Sequence, residues 1–168
     1  MNRWYVLHVR TNEEQDVKRV INREIPVAGV KVFKRIIQEK KQGEFRLVER
    51  LMFPGYVFVN VEMTDKVYYT LEKVPGVIRV LDMKKGMEEV IPVPDDEMDF
   101  ILSFTDENDT VNISEVFLLK SGRIKVVEGA LVGFDNRIVK FDKAKRRVTV
   151  AVDIFGKTKE IGFSVNLK

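Results

Sequence analysis

The chain has 168 residues, 45% hydrophobic and 33% charged, with 29 basic against 26 acidic side chains and a net charge of +3. That length predicts one ordinary domain or two small ones, and the apolar share is too large for a disordered tail. Cysteine is absent and His8 is the one histidine, which excludes disulfides, thiolate zinc centres and cysteine nucleophiles; no metal or cofactor is expected. No run of 18 apolar residues predicts a membrane span. The start, MNRWYVLHVR, has neither a long apolar stretch nor a small-residue cleavage site, so no signal peptide is expected and the cytoplasm is the expected location.

In chain order, residues 3–9 (RWYVLHV) are aromatic and β-branched and predict a strand. Thr11 and Glu14 have capping-box spacing, and Val17, Val20, Ile21 and Ile25 recur with helical period until Pro26 ends the helix. A strand over 30–37 and another over 44–52 flank a polar hairpin tip at 38–43. The Phe53-Pro54-Gly55 turn leads into YVFVNVEM, 56–63, the strongest strand pattern in the chain. Thr64 caps a short helix with Val67, Leu71 and Val74 on one face; Pro75-Gly76 turns the chain into a strand over 77–83. A last helix over 95–104 directs Met98, Ile101 and Leu102 inward. Elements in this order predict an α+β domain over 1–106, an antiparallel sheet flanked by helices.

Residues 105–114 (TDENDTVNIS) are polar and acidic and predict a linker, with 107–114 as its core. Beyond it, short strands at 123–128, 137–142, 146–154, 157–162 and 165–167, punctuated by Gly129, Gly133 and Gly156, predict a small β-barrel over 115–168. Val148, Val150 and Val152 alternate with polar residues, so one face of that strand is core. The charge is uneven: −1 over 1–106, −2 over 107–114 and +6 over 115–168. The basic residues Arg123, Lys125, Arg137, Lys140, Lys143, Lys145, Arg146, Arg147, Lys157 and Lys159 fall within 37 positions, a pattern for binding phosphates that a solvated lysine-rich surface also satisfies.

No G-x-x-x-x-G-K, G-x-S-x-G or His-x-x-x-His pattern occurs, and Asp95-Asp96 stand where a helix start favours acids, so no enzymatic activity is expected. The FPGYVF segment crowds three aromatics into six residues around a tight turn. Such a group suits an anchor for a partner helix, although Phe53, Tyr56 and Phe58 can equally fill a core.

Trp4-Tyr5-Val6, Phe53-Pro54-Gly55-Tyr56-Val57-Phe58 and Pro75-Gly76-Val77, in this order, resemble the N-terminal domain of NusG-type transcription factors. The segments 126–134 (VVEGALVGF) and 150–156 (VAVDIFG) resemble the KOW domain that follows it, an SH3-like barrel. The resemblance implies a monomeric, non-enzymatic factor whose first domain docks on the clamp helices of RNA polymerase through an apolar depression, here Tyr5, His8, Phe53, Tyr56 and Phe58. It also implies a second domain that recruits a partner, a small-subunit ribosomal protein or the Rho terminator, at Ile154 and Phe155. By alternation Ile154 points inward and Phe155 outward, where Phe155 is either a contact or a plug for the end of the barrel.

Three positions depart from that family's general pattern: Asn136-Arg137 where Gly-Thr is usual, Lys73-Val74 in place of a polar pair, and Thr11-Asn12-Glu13-Glu14 without a Gly-aromatic pair. Together with the basic second domain they resemble the LoaP subgroup, antiterminators that hold a nascent RNA hairpin through the KOW domain.

Overall fold

The computed structural model describes residues 1–81 and 90–168. The described chain forms two compact units, and they are not consecutive in sequence: unit 1 is Met1–Val32 with Phe53–Met98, and unit 2 is Phe33–Met52 with Asp99–Lys168.

Unit 1 is built on a four-stranded sheet. Strand β1 (Arg3–Val9) lies at its centre, antiparallel to β5 (Tyr56–Val61), with Tyr5 opposite Val59 and His8 opposite Tyr56. Beyond β5 lies β2 (Gly29–Lys31), and on the other side of β1 lies β6 (Val77–Val80). The expected strand end at Asp82-Met83 lies outside the described residues. Helix α1 (Glu14–Glu24) buries Val17 and Ile21 and ends just before Pro26, which can donate no backbone hydrogen bond. Helix α2 (Asp65–Glu72) starts as expected, the Thr64 hydroxyl accepting from the Val67 N–H at 3.2 Å.

The Thr11–Glu14 capping box does not form. Glu13 is the N-cap and makes no side-chain cap. Glu14 turns inward instead and serves a distant loop.

Unit 2 is where the expected boundaries fail. The predicted strand over 30–37 divides at Val32-Phe33: β2 pairs with β5, whereas β3 (Lys34–Lys41) pairs with β4 (Glu44–Leu51) and, in parallel, with β7 (Thr110–Val111). Residues 107–114 are therefore not a loose linker. The Asp106 carboxylate accepts from the N–H of Asn108 at 2.8 Å, the N–H of Thr110 at 3.0 Å and the Asn112 amide at 2.9 Å, folding the acidic stretch back on itself. Asp109, Thr110, Val111 and Ser114 are buried.

Strand β8 (Ser114–Leu118), which the pattern did not predict, opens a five-stranded sheet. It continues with β9 (Ile124–Glu128), β10 (Ile138–Asp142), β11 (Arg147–Ile154) and β12 (Lys157–Leu167), in spatial order β10-β11-β12-β8-β9. Strand β12 is continuous where two short strands were expected. The alternation in β11 holds: Val148, Val150, Val152 and Ile154 are all buried. The architecture is thus an α+β unit followed by a β-rich one.

About fifty residues make a thin core, and unit 2 extends its own with segments from outside 115–168. Helix α3 (Asp95–Ser103) crosses the division at Met98, and within unit 2 it buries Ile101, while Leu102 is only half-buried. Phe100 and Phe104, from its end, meet Phe134 edge-on at 5.3 and 5.8 Å, and Phe104 meets Phe163 at 5.8 Å.

Candidate functional site

Two regions gather the residues that the sequence singles out. The first surrounds the Phe53–Tyr56 turn of unit 1. Gly55 sits at φ +82°, a conformation that excludes most side chains, and its carbonyl accepts from the Val9 N–H at 2.8 Å. Its own N–H donates to Glu14 Oε2 at 2.8 Å, and Glu14 is only 2% exposed. A buried carboxylate on α1 thus fixes the turn that presents the aromatics. Sequence reasoning missed Glu14 in this role, although its spacing with Val17 and Ile21 places it on the buried face of the helix.

The aromatics form two layers. Tyr5, Phe53 and Phe58 are buried, at 7%, 4% and 0% exposure, so they are core and not an open apolar depression. Tyr5 lies opposite Val59 on one face of the sheet and Phe58 lies opposite Val6 on the other, and all four side chains are buried, so both faces are covered there. His8 and Tyr56 are half-exposed and share the face of Phe58, not that of Tyr5. Tyr56 stacks on Phe53 with centroids at 6.3 Å, and Phe53 leans on Phe58 at 5.5 Å. His8 meets Tyr56 edge-on at 6.4 Å.

The second region is the basic face of unit 2, and the structure divides it. Arg123, Lys125, Lys140, Lys143, Lys145, Arg146 and Lys157 are exposed. Arg146 and Arg147 are engaged with the β3–β4 hairpin: Arg146 donates to Gln38 Oε1 at 3.1 Å and lies 3.9 Å over the Phe45 ring, and Arg147 donates to the Gln38 carbonyl at 3.3 Å. Arg137 lies 4.6 Å over Phe100 and pairs with Asp153 at 3.8 Å. Lys159 is half-buried.

Gln38 is the centre of this arrangement and was not foreseen. Its N–H donates to Ser164 Oγ at 2.8 Å, and its amide donates to Asn166 Oδ1 at 2.9 Å and to the Val165 carbonyl at 3.3 Å. Arg35 donates to the Gly162 carbonyl beside it. Burial first, then the charges of Arg147 and Arg50, push the Arg35 pKa down, with Glu39 opposing. In the structure Ile37 and Gln38, adjacent in a strand and so on opposite faces, are both buried, so β3 is covered on both sides there.

Ile154 is buried and points inward, as alternation requires. Phe155 is half-exposed in the β11–β12 turn at φ +53°, next to Gly156 at φ +72°. Among the described residues no group of three acidic or histidine side chains could hold a metal ion, and no helix is long and apolar enough to cross a membrane.

A family model described as "Transcription termination factor nusG" matches residues 2–102. The "Transcription termination/antitermination protein NusG" of Bacillus subtilis is 27% identical over 161 residues, covering 92% of this chain and 90% of that one. Its namesake in Halalkalibacterium halodurans is 29% identical with the same coverage. Among solved structures, one titled "Domain interaction in Thermotoga maritima NusG" aligns over 98% of this chain and 94% of its own, with a TM-score of 0.55 at 21% identity, a likeness of fold. Matches that run through both units define the class as transcription termination and antitermination factors. The chain belongs to the NusG family.

Proposed function

We propose that this protein is a cytoplasmic transcription elongation factor that binds RNA polymerase through unit 1 and promotes processive antitermination, with unit 2 holding a hairpin of the nascent RNA. It acts by binding and makes or breaks no covalent bond. The observation that carries the RNA half is a group of exposed cations on one small β unit, among them Arg123, Lys125, Lys140, Lys143, Lys145 and Lys157. Phosphate binding calls for cations at the surface without committed partners. The polymerase half rests on the aromatic pair His8 and Tyr56, half-exposed beside the buried rings of Phe53 and Phe58. A rigid ring at the surface with ordered support beneath it is a good anchor for a partner's helix.

The test is transcription through a structured leader followed by terminators, with and without the protein. Read-through should rise only when the leader hairpin is intact. Replacing Lys143 and Lys145 by Ala should lower the slope of log affinity for the hairpin against log salt by about one unit each. Unchanged slopes would remove these two lysines from the interface.

A second reading, a general NusG factor that links polymerase to Rho or the ribosome, draws on Phe155. That ring is held half-exposed in a left-handed turn on the β-rich unit, a suitable contact for a protein partner. Read-through that is indifferent to the leader hairpin but sensitive to Phe155→Ala would favour it.

A further inference from the structure

The exposed cations of unit 2 are not spread evenly. Arg123, Lys125 and Lys140 lie on one groove of about 640 Å³. This size lies within the range of pockets that hold small organic ligands. Its walls come from β9 and β10, the two end strands of the five-stranded sheet. Ile124, Ile138, Val139 and Phe141 supply an apolar lining. Val139 is 54% exposed, because the register of β10 against β11 slips between Ile138 and Lys140 and leaves it out of the pairing. The exposed Asn136 amide stands at the same groove with two donors and one acceptor to offer. Asp135, the one acid there, is already occupied in accepting from the Val126 N–H at 2.8 Å.

We propose that this groove receives one or two unpaired nucleotides of an RNA loop, with the bases against Val139 and Phe141, the phosphates on Arg123, Lys125 and Lys140, and Asn136 at a base edge. The inference rests on the RNA-binding reading above and adds where and in what form the RNA is held. Two arguments favour an unpaired nucleotide over a duplex. A paired stem buries its base faces and offers only backbone and groove edges, so it has nothing to place on an apolar lining. Flat bases stack on aromatic and aliphatic side chains while their phosphates meet cations at the rim, which is the combination found here.

The experiment uses the full chain and two RNAs with the same number of phosphates. One closes in an unpaired loop; the other is a blunt duplex. The wild-type protein should bind the looped RNA about tenfold or more tightly than the duplex. Arg123→Ala with Lys125→Ala, both at exposed positions, should abolish that preference. Val139→Asp should do the same without altering a cation. Lys143→Ala with Lys145→Ala should weaken both RNAs alike and keep the preference. Equal wild-type affinity for the two RNAs, or groove variants that retain the preference, would overturn the groove assignment while leaving RNA binding in place. Wild-type protein that binds neither RNA at low salt would overturn the RNA-binding reading and the groove assignment with it.

Discussion

A carboxylate as enclosed as that of Glu14 is tolerated because it accepts a hydrogen bond from the Gly55 N–H. Removing it orphans a buried backbone donor, so Glu14→Ala should cost about 1–3 kcal/mol in urea unfolding, and Glu14→Gln, which keeps an acceptor, clearly less. The two aromatic layers predict a similar division. Phe58→Ala empties a fully buried site and should lower stability by about 3–5 kcal/mol. Tyr56→Ala, at a half-exposed position, should leave a folded protein that has lost affinity for polymerase. If Tyr56→Ala binds polymerase as wild type does, the proposed contact at this turn is overturned.

At the scale of the element, the stretch 105–114 is instructive because its composition misleads. Polarity and acidity predicted a linker, yet Asp106 gathers three donors and β7 pairs in parallel with β3. Burial alone would raise the Asp106 pKa; the hydrogen bonds from Asn112, Thr110 and Asn108, with the nearby charge of Lys34, outweigh it and hold the value below the usual carboxylate range. A depressed folded-state pKa contributes stability above the unfolded value, about 4, and that contribution is lost as pH falls through the folded value. Wild type should therefore be more stable than Asp106→Asn near neutrality, and the gap should close below about pH 4. A gap that stays constant with pH would show that the Asp106 charge has no part in it.

Much of the rest was legible for definite reasons. β1, β5 and β11 have strong two-residue alternation or aromatic runs, α2 carries its own cap, and Pro26 marks the end of α1. What failed is non-local. Thr11-Glu14 satisfies a local capping rule, but Gly55, 41 residues away, holds the Glu14 carboxylate. Three of the five aromatics assigned to docking proved to be core, because a crowded turn reads the same whether its rings face solvent or a second layer. For the basic set, the sequence located the charges; it could not tell that Gln38, more than a hundred residues earlier, holds Arg146 and Arg147.

At the scale of the whole molecule, the units interleave in sequence. The chain completes part of unit 1, leaves at Phe33 to lay down β3 and β4 in unit 2, returns at Phe53, and departs again at Asp99. A cut between residues 105 and 106 thus severs unit 2 without dissolving its contacts, since Gln38 would still face Ser164 and Asn166, and Phe104 would still face Phe134. Residues 1–105 and 106–168, expressed as separate polypeptides, should find each other in the same cell and elute as one species on size exclusion. If the shorter piece proves a self-sufficient monomer with no affinity for the longer one, the pairing of hairpin and sheet is dispensable. Otherwise the conventional practice of halving such a protein at its apparent hinge would yield two incomplete objects, and binding assays on either half alone would report on surfaces that the intact polypeptide keeps covered.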